Sequence, residues 1–149
     1  MNIVQKIEQY DENYIKFCEP IKNNIMNDGK FIRILYSTSN MLLNGIYLLL
    51  SFDDVICEKY YSKYKCIFDT NKYKNTIDSL KNIEENILNK FYFQNKLPQL
   101  KIYEQIKNGN IKLFEEFNKS SCSFILKISG IWETQFNYGL TYKFIKINE

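Results

Sequence analysis

The sequence predicts an α+β domain, mainly antiparallel β, with one main helix at about 73–91 and a sheet able to close as a small barrel. Three observations carry this. Residues 122–129 and 140–147 are two runs dense in β-branched and aromatic residues, on either side of a segment holding Gly130, Trp132 and Gly139. Ile77, Leu80, Ile83, Ile87, Leu88 and Phe91 recur at helical spacing. Asn108-Gly109 separates two apolar runs, 100–106 and 111–114, in the manner of a hairpin turn.

The remaining elements follow in order. Residues 2–9 fit a short helix with Ile3, Val4 and Ile7 on one side. Tyr14 to Cys18 reads as a short strand ended by Glu19-Pro20, since proline cannot donate to a ladder. Asn23 to Gly29 is a polar loop, and Lys30 to Tyr36 a strand broken by Ser37 to Asn40. Met41 to Phe52 is a strand region kinked at Gly45. Its continuous apolar character predicts a central strand buried on both faces. Asp53 to Ser62 fits no single element, and Lys65 to Asp69 reads as a strand. Thr70 or Asn71 is the expected N-cap of the helix, with Asn95 and Pro98 marking its exit. Glu115 to Ser121 is a polar loop, and Glu133 to Tyr138 a surface loop joining the last two strands. The 149 residues fit a single domain, 1–149, with no internal repeat and no low-complexity linker.

Within the final strand the alternation separates two faces. Leu140, Tyr142 and Phe144 form one set, and Thr141, Lys143 and Ile145 the other. The hairpin thus has one packed side and one cationic side.

Composition narrows the functional classes. The formal charge of +3 permits binding to a polyanion without demanding it. Lys and Asn are abundant, Arg33 is the only arginine and Ala is absent, a bias expected of an AT-rich genome. Cys18, Cys57, Cys66 and Cys122 form no C-x-x-C pair and there is no histidine, which argues against a structural zinc. Dispersed core thiols are the expected state of these cysteines. The N-terminus is too polar for a signal peptide, and Met41 to Phe52 is too short to span a bilayer. The expectation is a soluble, intracellular protein.

Catalysis has little to draw on. There is no histidine to act as base and no phosphate-binding Gly-rich loop. Asp53-Asp54 could hold Mg²⁺ only if a turn made the adjacent carboxylates converge, and Cys122 lacks a base. No enzyme activity, cofactor or metal is expected.

Single-stranded nucleic acid has a better physical case. It is held by cations along its backbone and rings stacked on its bases. Lys and Tyr interleave over 59–65 and 72–74, and again at Tyr142-Lys143 and Lys146. The phosphate-binding candidates are Lys63, Lys65, Lys127, Lys143 and Lys146. The stacking candidates are Tyr60, Tyr61, Tyr64, Trp132, Tyr138 and Tyr142, some of which belong to the core. Trp132 has two readings, a base-stacking ring or a cap over the core at a turn.

The run Leu126-Lys127-Ile128-Ser129-Gly130-Ile131-Trp132-Glu133-Thr134, followed by Tyr138-Gly139-Leu140-Thr141-Tyr142-Lys143-Phe144-Ile145, resembles the C-terminal end of small proteins of nucleocytoplasmic large DNA viruses. These include OB-like β-barrel proteins assigned to binding single-stranded DNA. Phe31 to Tyr36 leading to Asn44-Gly45-Ile46-Tyr47, and the helix followed by Asn108-Gly109, fit the same layout. The resemblance implies an OB-like small barrel that coats single-stranded DNA in viral replication, located in the host cytoplasm, the viral factory or the virion. One departure is the ending Lys146-Ile147-Asn148-Glu149, where many such proteins carry an acidic tail; this puts tail-mediated recruitment in doubt.

Three readings therefore stand. The first is a non-enzymatic single-stranded nucleic-acid-binding protein. The second is a viral structural or assembly protein acting by protein–protein contact, as a homo-oligomer or with a viral partner. The third is a metal-dependent nuclease using Asp53, Asp54 or Asp69.

Overall fold

The computed structural model describes residues 4–22, 29–53, 55–61, 63–91, 93, 95–113 and 123–147. The expected loops at 23–29 and 115–121 lie almost wholly outside these, as do Asp54 and Cys122.

The predicted C-terminal hairpin is the centre of the fold. Strands β11 (Ser123–Glu133) and β12 (Asn137–Lys146) pair antiparallel along nearly their full length. Both are longer than the sequence suggested, because Gly130 and Trp132 continue the ladder instead of turning it. The turn is confined to 134–136, where Thr134 and Asn137 hydrogen-bond one another through backbone and hydroxyl.

On its other edge β11 has two successive partners. Residues 123–128 pair with β6 (Ile46–Ser51), and residues 130–133 pair with β4 (Lys30–Ser37). The change of partner coincides with a bulge between Ile128 and Gly130, which leaves Ser129 as the extra residue. Gly45, at φ 129°, lies against this bulge; a Cβ there would stand 2.9 Å from the Ile128 carbonyl oxygen. The chain can therefore pass from β4 through the short β5 (Leu42–Leu43) into β6 only with glycine at the bend.

Short strands complete this sheet. β1 (Gln5–Lys6) joins β6 in parallel, and β2 (Ile15–Phe17) and β3 (Ile21–Lys22) join β4. β9 (Leu97–Gln99) runs parallel to β12 at the far edge, where Pro98 costs no ladder bond to a further strand. Of the helix expected over 2–9, residues 2 and 3 lie outside the described residues and residues 7–9 form a 3₁₀ turn after β1. The described strands do not close into a barrel; the fold is α+β, mainly β.

A second sheet has the order β10-β8-β7, with β7 (Ile56–Tyr60), β8 (Lys63–Ile67) and β10 (Asn110–Leu113) all antiparallel. Here the structure corrects the reading around Asn108-Gly109. Residues 101–106 are not a strand but helix α2 (Lys101–Ile106), burying Ile102 and Ile106 four residues apart. Gly109 donates its N–H to the Ile106 carbonyl just past the helix end, and β10 goes on to pair with β8. The apolar positions of 100–106 suit either period, and burial of the helical pair decides between them.

Helix α1 (Lys74–Lys90) matches the predicted 73–91. Its N-cap is Tyr73 rather than Thr70 or Asn71; a turn set by Asp69, whose carboxylate accepts the Asn71 and Lys72 N–H groups, precedes it. Ile77, Leu80, Ile83, Ile87 and Leu88 pack into one core with Phe124, Leu126 and Ile128 of β11, Ile46, Leu48 and Leu50 of β6, and Cys66, Ile111 and Leu113 of the second sheet. Each fully buried large side chain contributes about 1.5–3 kcal/mol by its removal from water. β6 is central as expected, but it is buried on one face only, since Tyr47 and Leu49 are half-exposed.

The expectation of dispersed thiols is overturned in part. Cys57 and Cys66 stand directly opposite one another on β7 and β8, with Cα atoms 4.2 Å apart, and are joined as a disulfide. Hairpin register brings together two cysteines whose spacing of nine gave no signal. Cys18 is a free, half-buried thiol.

Candidate nucleic-acid interface

Directly paired residues on neighbouring strands point to the same side, so the register assigns each side chain to a face. The inner face of β11 and β12 carries the core. Four successive rows make up most of the outer face. The first is Ile21, Phe31, Trp132, Gly139 and Gln99, across five strands. Next come Arg33, Gly130 and Thr141. Then follow Tyr47, Lys127 and Lys143, and finally Lys6, Leu49, Ile125 and Ile145. Successive rows are spaced by two residues of strand, about 7 Å, with a small offset at the bulge.

Glycines let the first two rows lie flat. A Cβ on Gly139 would stand 2.6 Å from the Trp132 ring, and one on Gly130 would stand 2.6 Å from the Phe31 ring. Each ring therefore rests across the backbone of the adjacent strand, leaving Trp132 and Phe31 half-exposed on the sheet surface. Trp132 is thus neither at a turn nor inside the core.

Cations follow directly. The Arg33 guanidinium is exposed and donates to the Asn44 side-chain carbonyl at 2.9 Å. The Lys127 Nζ lies 5.6 Å from the centre of the Tyr47 ring. Lys127 and Lys143 stand directly opposite each other. Like charges opposed in this way destabilise a strand pair, a cost that a bound anion would offset. The face thus sets aromatic rings beside positive charges that enter no ion pair among the described residues, and these four rows carry no carboxylate.

The other expected site residues fall elsewhere. Lys146 shares the inner side with Tyr142 and Phe144 and is 4% exposed, its Nζ over the Phe124 ring at 5.5 Å; it is not a surface phosphate contact. Tyr138 is 2% exposed and packs edge-on against Phe93 at 4.9 Å, so it is a core residue and not a stacking platform. Tyr142 is inner and half-buried, its hydroxyl donating to Gln105 at 2.7 Å; burial, then Glu84 and Glu104, push its pKa up to about 12. Tyr64 packs against the core from β8. Strand alternation explains all four, because each shares parity with a buried neighbour. Tyr61 sits at the β7–β8 turn with φ 57° and 84% of its surface exposed. The side chain of Tyr60 lies outside the described residues. Lys63 and Lys65 belong to the second sheet, away from Lys127 and Lys143.

Sequence reasoning did not select Phe31, Arg33 and Tyr47. The alternation of Ile32, Ile34 and Tyr36 against Phe31 and Arg33 was available as a signal. What placed them beside Trp132 and Lys127 is long-range register, which local pattern does not contain.

Of the acidic candidates Asp54 lies outside the described residues, and Asp53 and Asp69 are each engaged by their own partners. Asp53 forms an ion pair with Lys72 at 3.0 Å, which holds its carboxyl below the usual range, while Asp69 caps the turn before α1. Among the described residues no group of three or more metal-binding side chains comes together. No helix among them is long and apolar enough to cross a membrane.

No family model, curated protein or solved structure matches the chain.

Proposed function

We propose that this protein is a non-enzymatic, sequence-tolerant binder of single-stranded nucleic acid, and that the outer face of the main sheet is its binding surface. The observation that carries the reading is the Lys127–Lys143 cross-strand pair, flanked by Tyr47 and followed along β11 by Arg33, Phe31 and Trp132. Trp132, Phe31 and Tyr47 stack on bases; Arg33, Lys127 and Lys143 meet phosphates. An OB-like origin of the scaffold, and a place in the genome replication of a large DNA virus, belong to this proposal through the C-terminal resemblance. A long, bulged strand shared between two partner strands supports the OB-like part.

The test uses fluorescence anisotropy with labelled dT and mixed-sequence single strands against duplex, at low and moderate salt. Trp132 is the only tryptophan, so its emission reports stacking directly. We expect single-strand-selective binding, with affinity falling about 0.7 log units per log unit of salt for each phosphate held. Trp132→Ala should cost about 10- to 100-fold in affinity, the worth of one stacked base. Absence of binding at low salt, or binding indifferent to Lys127→Glu with Lys143→Glu, would overturn the proposal.

A second reading, an assembly protein, draws on one feature. Leu97 and Phe136 are 67% and 66% exposed and are joined through their backbones at the β9 edge, an apolar patch open to a protein partner. A stable oligomer dispersed by Phe136→Ser, with no nucleic-acid affinity, would favour it.

A further inference from the structure

We propose that the outer face of the second sheet is a separate anion site that takes a phosphate-bearing ligand of nucleotide size. It shares no residue with the surface described above and does not depend on that reading. Lys65 of β8 stands directly opposite Lys112 of β10, and Lys63 lies two residues along on the same face. Across the sheet the row reads Glu58, Lys65, Lys112, so one carboxylate faces two ammonium groups. Among the described residues neither Lys65 nor Lys112 takes part in an ion pair.

The three lysines do not merely share a surface. With Tyr64 and Asn110 they line a groove of about 390 Å³. Through Asn110 and Lys112 the groove adjoins a hollow of about 330 Å³ beside α2 and Tyr142. Lys101 in that hollow lies 3.7 Å from Glu104 and so is partly neutralised. In the groove, the positive charge free of ion pairs among the described residues is therefore that of Lys65 and Lys112. A pocket of this volume suits a small ligand. Its chemistry selects one with several phosphate oxygens, which would bridge Lys65 and Lys112 and offset their repulsion. The Asn110 side-chain amide supplies a hydrogen-bonding group at the edge of the groove. The ligand's source is either a free nucleotide or the backbone of a nucleic acid.

The experiment titrates the full chain with inorganic tripolyphosphate, ATP and a dT oligonucleotide at low salt, following backbone amide shifts by NMR. Tripolyphosphate should move the amides of residues 63–65 and 110–112, and Lys112→Glu should weaken it at least tenfold. That variant places carboxylates on both sides of Lys65, so its melting temperature should not fall. Lys127→Glu should leave tripolyphosphate affinity unchanged. ATP binding tighter than tripolyphosphate would assign a free nucleotide, and displacement of tripolyphosphate by the oligonucleotide would assign nucleic-acid phosphates. Affinity unchanged in Lys112→Glu, or lost equally in Lys127→Glu, would overturn the site.

Discussion

The two faces of the β11–β12 hairpin are built from the same residue types and have opposite surroundings. Lys143 and Lys146 are three positions apart on one strand. Lys143 is exposed beside Lys127, whereas Lys146 is 4% exposed over the Phe124 ring. Trp132 and Phe124 are both large aromatics on β11; the first lies half-exposed across Gly139, the second is completely buried. Parity along the strand, shifted once by the bulge, assigns each residue to a face. The difference teaches that a lysine or an aromatic ring has no functional meaning here until its face is known.

The comparison breaks most visibly on the inner side. Phe124→Ala should destabilise the fold by about 3–5 kcal/mol, through lost burial and the cavity left behind. Tyr47→Ala, on the outer side, should cost much less stability while weakening binding to single strands. Chemical denaturation of both variants checks this, and equal losses would mean that the two faces are not distinct.

A smaller effect concerns the buried polar group beneath the inner face. Glu84 is 0% exposed, and its two oxygens accept the Ile102 and Tyr103 N–H groups at 2.9 Å, capping the start of α2. Burial outweighs these hydrogen bonds and pushes its pKa up to about 7, with Glu104 and Glu85 adding to the rise. The folded state thus holds this proton more tightly than the unfolded chain does. Its contribution to stability is fully present below about pH 4.5 and is lost as pH rises through 7. The full change is on the order of 3 kcal/mol. Denaturation at pH 5 and pH 8 should show this component in the native protein and lose it in Glu84→Gln.

The smallest effect sharpens the outer face. Lys143→Glu replaces a like-charge pair with an opposite-charge one across from Lys127. It should raise stability by about 0.2–1 kcal/mol while lowering affinity for single strands. Thermal melts paired with anisotropy read both. A variant that gains neither stability nor loses affinity would show that the pair is simply solvated.

Much of the fold was legible in the sequence where the period was long and unambiguous. The apolar positions of α1 and the alternation of 140–147 both stand as read. The segment 100–106 was not legible, because Ile102 and Ile106 satisfy either a strand or a helix and only packing against Glu84 and the core selects one. Of the candidate site, Lys127, Lys143 and Trp132 share the outer face, whereas Tyr138, Tyr142 and Lys146 belong to the inner one. Phe31, Arg33 and Tyr47 were not visible as partners, since they lie some 80 to 100 residues from β11 in the chain.

By itself, then, the sequence determined the local periods: the apolar stripe of α1, the strand character of 30–36 and 123–128, and the two faces of 140–146. The tertiary structure alone decided how those parities combine. Pairing of β11 first with β6 and then with β4 across the Ser129 bulge puts Tyr47, Arg33 and Phe31 beside Lys127 and Trp132, and hairpin register puts Cys57 against Cys66. The physical reason is that alternation is a property of neighbours two residues apart, whereas register is fixed by long-range burial of the core.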